Sequence, residues 1–116
     1  MQFTWHGLSC FEIVCKTPNG EVTVVTDPYQ NNTGLRFPRT LEAQIVAMSH
    51  TGDDANNLGA VTGSPFVIQH PGEYEIKGVF LFGIGAGENI LYRIEAEGIQ
   101  VAHLGALSRV LTDEEL

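Results

Sequence analysis

The chain has 116 residues with 6 basic and 14 acidic side chains, a formal net charge of −8 and a pI near 4.7. Apolar residues make up 43% of it and charged residues 17%, which is typical of one globular domain over residues 1–116 and excludes a disordered tail. The acidic balance excludes nucleic acid as an expected partner, because binding to a phosphate backbone depends on clustered Lys and Arg.

The first third of the chain predicts strands. Segments 3–5, 10–16 and 21–26 are rich in β-branched and aromatic residues, and Pro18-Asn19-Gly20 predicts a hairpin turn between the last two. The third segment is apolar on both faces, which favours a sheet covered on both sides. Asp27-Pro28 ends this strand, and a polar, turn-rich loop is expected over residues 29–40.

The rest of the chain predicts further strands and few helices. A short apolar strand is predicted over residues 45–49, and it leads into the polar cluster of residues 50–54. A helix start is expected near Asn56. Five more strands are predicted over 66–69, 74–76, 79–84, 90–95 and 99–103, with a hairpin turn at Glu97-Gly98. The glycines at 83, 85 and 87 favour a tight turn over a phosphate loop, because no helix pattern follows them. Residues 112–115 have capping-box spacing, which predicts a helix start or a frayed acidic tail.

Targeting and redox patterns favour a cytoplasmic protein. No apolar run approaches the ~20 residues of a membrane helix, and residues 1–6 lack the basic start and the cleavage site of a secretory signal. Cys10 and Cys15 lie five positions apart in one predicted strand, so their side chains are expected on opposite faces, where they cannot bridge each other. Two unpaired thiols, interpreted as packing residues, fit a reducing compartment, and no membrane partner is expected.

Several motifs follow one another in an order that identifies a family. They are Thr4-Trp5-His6-Gly7-Leu8-Ser9-Cys10-Phe11, Thr26-Asp27-Pro28, Ser49-His50-Thr51-Gly52-Asp53-Asp54, Pro71-Gly72-Glu73-Tyr74-Glu75 and His103-Leu104-Gly105. Together they resemble the metallo-β-lactamase superfamily, in particular its small Zn-dependent hydrolases of the lactonase-like branch. The resemblance implies the α/β (α+β) class and an αββα sandwich of two mixed sheets with helices outside. It further implies a truncated, strand-rich version with few short helices, in which the chain is the first half of the fold.

The resemblance also implies a zinc centre, whose ligand positions are only partly filled. The family holds one or two zinc ions and a nucleophilic water with a His-x-His-x-Asp-His loop, a later His and a later Asp. His50 and Asp54 match the first His and the Asp of the loop, and His103 matches the later His. The other matched positions have no donor atom in their side chains: Gly52, Ala55 and Ala106. Leu8 also follows Gly7 where many relatives have His.

His50, Asp54 and His103 are therefore the candidate metal ligands, and Asp54 is the candidate catalytic residue if the site is active. Two imidazoles and a carboxylate can hold zinc or another divalent ion, although in the family these three do not all bind the same ion. The alternative is that both histidines cap strands and Asp54 caps the helix near Asn56. Asp27, which orients metal ligands in the family, is expected to fix the loop after its strand.

Other polar groups have ordinary interpretations. His6 and His70 are expected to be partly exposed histidines without a ligand role. The neighbours Ser49 and His50 are expected to point apart along a strand, which argues against a catalytic triad. Glu73 and Glu75 are expected on one solvated face.

These observations leave two functions open. The favoured hypothesis is a catalytically degenerate metallo-β-lactamase-fold protein that is not an enzyme, binds no cofactor and has a binding or assembly role. The alternative is a residual metal-dependent hydrolase of a small phosphorylated or lactone-like substrate. A half-domain would leave an apolar sheet face in water at a cost of about 25 cal/mol per Å², so a homodimer, another homo-oligomer or a complementary half-domain is expected.

Overall fold

A computed structural model describes residues 1–38, 41–107 and 109–114. Within them the chain forms nine strands and two 3₁₀ helices, Asn31–Thr33 and Leu58–Ala60. The strands are β1 Gln2–Gly7, β2 Cys10–Thr17, β3 Gly20–Thr26, β4 Ile45–Ala47, β5 Phe66–Ile68, β6 Gly72–Ile76, β7 Val79–Ala86, β8 Asn89–Ala96 and β9 Ile99–His103. Every segment predicted to be a strand is confirmed, with its ends within two residues of the expected ones.

The first sheet has the strand order β1-β2-β3-β4-β5. The first three strands are antiparallel neighbours, whereas β3, β4 and β5 run parallel. The predicted hairpin at Pro18-Asn19 is confirmed, because Thr17 pairs with Gly20, whose φ of +111° favours glycine. The carboxyl ends of the parallel strands share one edge of the sheet, and the chain leaves them there towards Asp27, Ser49 and Gln69.

The second sheet is an antiparallel meander with the order β6-β7-β8-β9. The expectation of two mixed sheets is therefore wrong for this one, because short hairpins join its consecutive strands and impose antiparallel pairing. Glu97 and Gly98 form the predicted turn, both with positive φ. The tight turn predicted in the glycine segment is at Gly87-Glu88, and Gly83 and Gly85 lie inside β7.

An apolar core fills the space between the two sheets. Its buried members alternate along the strands, as the period of two requires: Ile13, Cys15, Val22, Val24, Ile45, Ala47, Ile68, Val79, Leu81, Ile90, Tyr92, Ile94 and Ala96. The hydroxyl of Tyr92 crosses this core and donates to the Met48 carbonyl oxygen at 2.7 Å. Cys15 belongs to the core whereas Cys10 packs on the outer face of the first sheet, so the prediction of opposite faces is confirmed.

Loops cover the outer face of the first sheet. A second buried cluster lies there: Cys10, Val25, Tyr29, Phe37, Leu41, Ala43, Val46, Met48 and Val61. The described residues contain no α-helix, so the outer layer in this part of the chain consists of loops and the two 3₁₀ helices. The helix expected near Asn56 is wrong: only Leu58–Ala60 forms a 3₁₀ turn, because the surrounding Asn and Gly residues are poor helix formers.

The C-terminal capping-box prediction lies partly outside the described residues, since Glu115 is not among them. Asp113 and Glu114 form a turn. None of the helices in the described segments has the length and apolar character needed to cross a lipid bilayer.

Candidate functional site

The centre of the site is Asp27, the residue that follows β3. It has a φ of +42°, a left-handed conformation that Asp tolerates better than most residues with a side chain, and it is completely buried. Its carboxylate accepts two hydrogen bonds from Ser49, one from the backbone N–H and one from the hydroxyl, each at 2.6 Å. Asp27 therefore ties the segment after β3 to the segment after β4, as the sequence predicted for the loop that it begins.

Burial raises the pKa of the Asp27 carboxyl above its ordinary value. The hydrogen bond from the Ser49 hydroxyl is the largest opposing influence, and positive charge on His103 or His50 opposes burial in the same way. The protonation state of Asp27 thus depends on its contact with Ser49 and on the charges of His50 and His103.

His50 lies next to Ser49 and contacts it directly. Ser49 Oγ and His50 Nδ1 are 2.8 Å apart, and His50 Nε2 lies 2.7 Å from Asp54 Oδ1. The prediction that these neighbouring side chains point apart is wrong, because β4 ends at Ala47 and the alternation of a strand does not extend to residues 49 and 50. Ser49 is nevertheless fully buried, so it is not placed to attack a substrate.

Asp54 fills the space beside Gly52. A Cβ atom on Gly52 would lie 2.7 Å from Asp54 Oδ1 and 3.3 Å from His50 Cδ2, so even a methyl group there would displace the carboxylate. Asp54 does not cap a helix: the first residue before the 3₁₀ turn is Asn57, which makes no side-chain cap. The alternative interpretation of Asp54 as a helix cap is therefore wrong.

His103, at the end of β9, approaches the same centre from the second sheet. Its Nε2 atom lies 3.0 Å from the Ser9 carbonyl oxygen and 3.8 Å from Asp27 Oδ2. Since a carbonyl oxygen only accepts, Nε2 carries the proton in this hydrogen bond. Nδ1 is buried and has no hydrogen-bond partner among the described residues.

The structure brings the three candidate metal ligands to one end of the sandwich but gives them different partners. His50 contacts Asp54, whereas His103 contacts Ser9 and lies near Asp27. Both ring nitrogens of His50 are engaged, so a metal ion bound there would have to displace Asp54 or Ser49. In the described part of the chain, no group of three His, Cys, Asp or Glu side chains is arranged to hold a metal ion. The residues as arranged do not fit the zinc centre that the resemblance implies.

A shallow cleft of about 420 Å³ opens beside His50, lined also by Glu88, Asn89 and Ala106. Asn89 supports its wall by donating to the Leu104 carbonyl oxygen at 2.9 Å and accepting from the Ala106 backbone N–H at 3.2 Å. Asn89 is not among the residues that the sequence predicts for the site. The available signal was a single amide directly before the apolar run Ile90-Leu91-Tyr92.

The exposure of His6, His70, Glu73 and Glu75 agrees with the prediction that these side chains lie at the surface. His6 is partly exposed and pairs with Glu12, with Nε2 and Oε1 2.9 Å apart. His70 is exposed, and its carbonyl oxygen accepts from the Tyr74 hydroxyl at 2.8 Å. Glu73 and Glu75 are both exposed on β6.

Comparisons with known proteins confirm the resemblance. The family model described as "Beta-lactamase superfamily domain" matches residues 2–116. The structure is similar to a crystal structure from Thermotoga maritima, described as a candidate Zn-dependent hydrolase of the metallo-β-lactamase superfamily, with a TM-score of 0.79 and 36% sequence identity. The match covers 97% of this chain and 52% of that one, so the chain spans about half the length of this relative. No curated protein shows significant sequence similarity to the chain.

Proposed function

Because the chain belongs to the metallo-β-lactamase superfamily, we propose that it is a catalytically degenerate member whose role is binding or assembly. Hydrolysis in this fold depends on a metal ion with an open coordination position, which activates a water molecule. In a degenerate member the sandwich is retained, whereas the metal ion needed for hydrolysis is no longer bound.

The hydrogen bond between His50 and Asp54 is the observation that carries the proposal. These residues occupy two positions that match metal ligands of the family, yet their polar atoms are bonded to each other at 2.7 Å. The space beside Gly52, where the family has a second His, is occupied by the Asp54 carboxylate. A hydrogen-bonded pair thus occupies two of the matched ligand positions, which supports a site that no longer needs a metal ion.

The cleft beside His50 is the candidate binding surface of such a protein. It offers the edge of an imidazole, the carboxylate of Glu88 and small side chains such as Ala106. An open cleft of this composition suits a small polar ligand or a polar segment of another protein.

A residual metal-dependent hydrolase remains the second candidate. The buried Nδ1 of His103 favours it, because a buried polar atom without a hydrogen-bond partner among the described residues is rare in a folded protein, and an imidazole nitrogen is a common metal ligand. In this version His50, Asp54 and His103 would share the ion after His50 and Asp54 separate, and the substrate would be small and phosphorylated or lactone-like.

Metal analysis separates the two proposals. We expect protein purified without chelator to contain only traces of zinc, iron and manganese, and His50→Ala to leave these amounts unchanged. The matched control is His70→Ala, which removes an exposed imidazole outside the site. Stoichiometric metal that disappears in His50→Ala and persists in His70→Ala would overturn the degenerate assignment in favour of the hydrolase.

We propose a cytoplasmic location as well. Cys10 and Cys15 support it, since both are buried free thiols on opposite faces of the first sheet. Expression with a fluorescent tag in a bacterial host tests it, and export from the cytoplasm would contradict it.

A further inference from the structure

On the side where β1 and β9 lie, the five-stranded first sheet is wider than the four-stranded second sheet in the part of the chain that the structure describes. The Met1 amino group pairs with Glu97 Oε2 at 2.8 Å, which places the start of β1 beside the turn that precedes β9. At the opposite end, His103 of β9 bonds to the Ser9 carbonyl oxygen, just after β1. The two strands therefore run side by side in the same direction, one in each sheet. Over the described residues, each pairs with a neighbour on one side only.

β1 extends beyond the second sheet. Phe3 pairs with Ile13 and Trp5 pairs with Phe11, so both aromatic side chains share the inner face of the first sheet. Ile13 is buried in the core, whereas Phe3 is 48% exposed and Trp5 is 66% exposed. Within the described residues the second sheet stops at β9 and is one strand too narrow to cover them.

The two free edges also lack the residues that usually protect such edges. β1 reads QFTWHG and β9 reads IQVAH, so neither contains Lys, Arg, Asp, Glu or Pro. The two edge strands therefore carry no acidic side chain, and Glu97 in the turn before β9 is paired with the Met1 amino group, which lowers the repulsion between two copies that approach along this side.

We propose that a second copy of the chain covers this side, related to the first by a two-fold axis that runs along the strands and between the layers. This rotation exchanges the two layers. The β1 strand of each copy then takes the free place beside β9 of the other, in parallel pairing, and the aromatic side chains of the two β1 strands pack against one another. An axis perpendicular to the sheets would instead pair β1 with β1 and leave a gap between the β9 strands.

The area is compatible with a stable pair. Phe3 and Trp5 expose roughly 200 Å² per copy, since an aromatic side chain presents about 150–250 Å². The aromatic side chains of both copies thus contribute roughly 400 Å². Two strand edges of about 17–20 Å per copy add backbone and side-chain area, so the pair approaches the ~1,000 Å² that a specific interface should exceed and is expected to dissociate on dilution. The inference rests on the assembly role within the proposed function but not on the absence of a metal ion.

Trp5 provides the test, because it is the sole tryptophan of the chain. Analytical ultracentrifugation should give a mass of twice 12.6 kDa at micromolar concentration, with dissociation on dilution. Over the same concentrations, Trp5 emission should shift from the wavelength of an exposed indole to that of a buried one. A monomer at 100 µM, or a dimer whose Trp5 emission stays that of an exposed indole, would overturn the proposal.

The variant Trp5→Glu places a charge inside the proposed interface and should weaken the dimer by about 100-fold or more. The matched control is Phe66→Glu, since Phe66 is 51% exposed on the same inner face but lies on β5, at the far edge of the sheet. Circular dichroism establishes that both variants are folded. Equal weakening by both variants would refute this interface. Metal content is measured separately, so a metal-loaded dimer contradicts the degenerate assignment alone and a metal-free monomer contradicts this inference alone.

Discussion

Substitution of Ser49 by Ala tests whether the buried Asp27 carboxylate organises the site. The variant removes a hydroxyl that donates to Asp27 Oδ2 at 2.6 Å and contacts His50 Nδ1 at 2.8 Å, while the Ser49 backbone N–H still donates to Oδ1. A hydrogen bond to a buried charged group contributes about 1.5–3 kcal/mol. We expect Ser49→Ala to lower the free energy of unfolding by about 2–3 kcal/mol, out of roughly 6–15 kcal/mol for a chain of this length.

The loss should depend on pH in a defined direction. Burial raises the pKa of Asp27 in the folded state, so the contribution of this group to stability is fully present below its unfolded pKa of 3.8 and is lost as pH rises through the folded pKa. The Ser49 hydroxyl lowers that folded pKa, and its removal raises it further. The stability difference between Ser49→Ala and the parent should therefore grow as pH rises from about 4 to 7.

Urea denaturation followed by far-UV circular dichroism measures both effects. The matched control is Ser9→Ala, whose hydroxyl makes only a long contact of 3.5 Å to the Gly105 carbonyl oxygen, and it should cost less than about 0.5 kcal/mol. A Ser49→Ala loss below about 0.5 kcal/mol, or a loss that does not vary with pH, would refute the central role of Asp27.

Four further predictions use the same denaturation assay or simple chemistry. Asp54→Ala should lower the free energy of unfolding by less than about 1 kcal/mol, because the carboxylate that contacts His50 is half exposed. A loss above about 2 kcal/mol would contradict a weak surface pair. Gly105→Ala should lower the free energy of unfolding by about 3 kcal/mol or more, because φ is +59° and a Cβ atom would overlap the Ser49 side chain. The control Gly87→Ala has a similar φ of +68° but open space around the Cβ position, so it should cost only about 1 kcal/mol. Equal losses in the two variants would be inconsistent with the clash. Burial raises the pKa of the Cys10 thiol to about 12 and also raises that of Cys15, so both thiols should resist a thiol reagent at pH 8 until urea unfolds the chain. The free energy of unfolding should fall as pH rises above about 9, where the unfolded chain loses these protons first. Rapid labelling of the folded protein would argue against burial. The hydrogen bond from the Met1 amino group lowers the pKa of Glu97, so the contribution of this carboxylate to stability should be lost as pH falls below 4.5. Glu97→Gln should therefore lose less stability than the parent between pH 4.5 and lower pH. The same pH dependence in both proteins would exclude the ion pair.

Much of the fold could be predicted because its signals are local. β-branched runs predicted the strands, and Pro18-Asn19-Gly20 and Glu97-Gly98 predicted hairpins that the structure confirms. The helix predicted near Asn56 does not form for a local reason too, because the Asn and Gly residues around this position are poor helix formers. The family resemblance implies a mixed second sheet, whereas its short hairpins make it antiparallel.

The candidate site was only partly predictable. Motif positions identified His50, Asp54 and His103, and the sequence also singled out Asp27. The sequence gives no sign that Ser49 donates to Asp27 and contacts His50. Its contacts follow from the path of the chain after β4, which strand alternation does not describe.

The sequence by itself determined the strands, the separation of Cys10 from Cys15, and the absence of donor atoms at three matched metal positions, because these depend on side-chain type and on a period of two residues. Only the tertiary structure decided that His50 bonds to Asp54, that Asp27 lies buried between the ends of two loops, and that β1 extends past β9. Those facts depend on how loops close and how many strands each layer contains, and both are set by contacts between residues far apart in the chain.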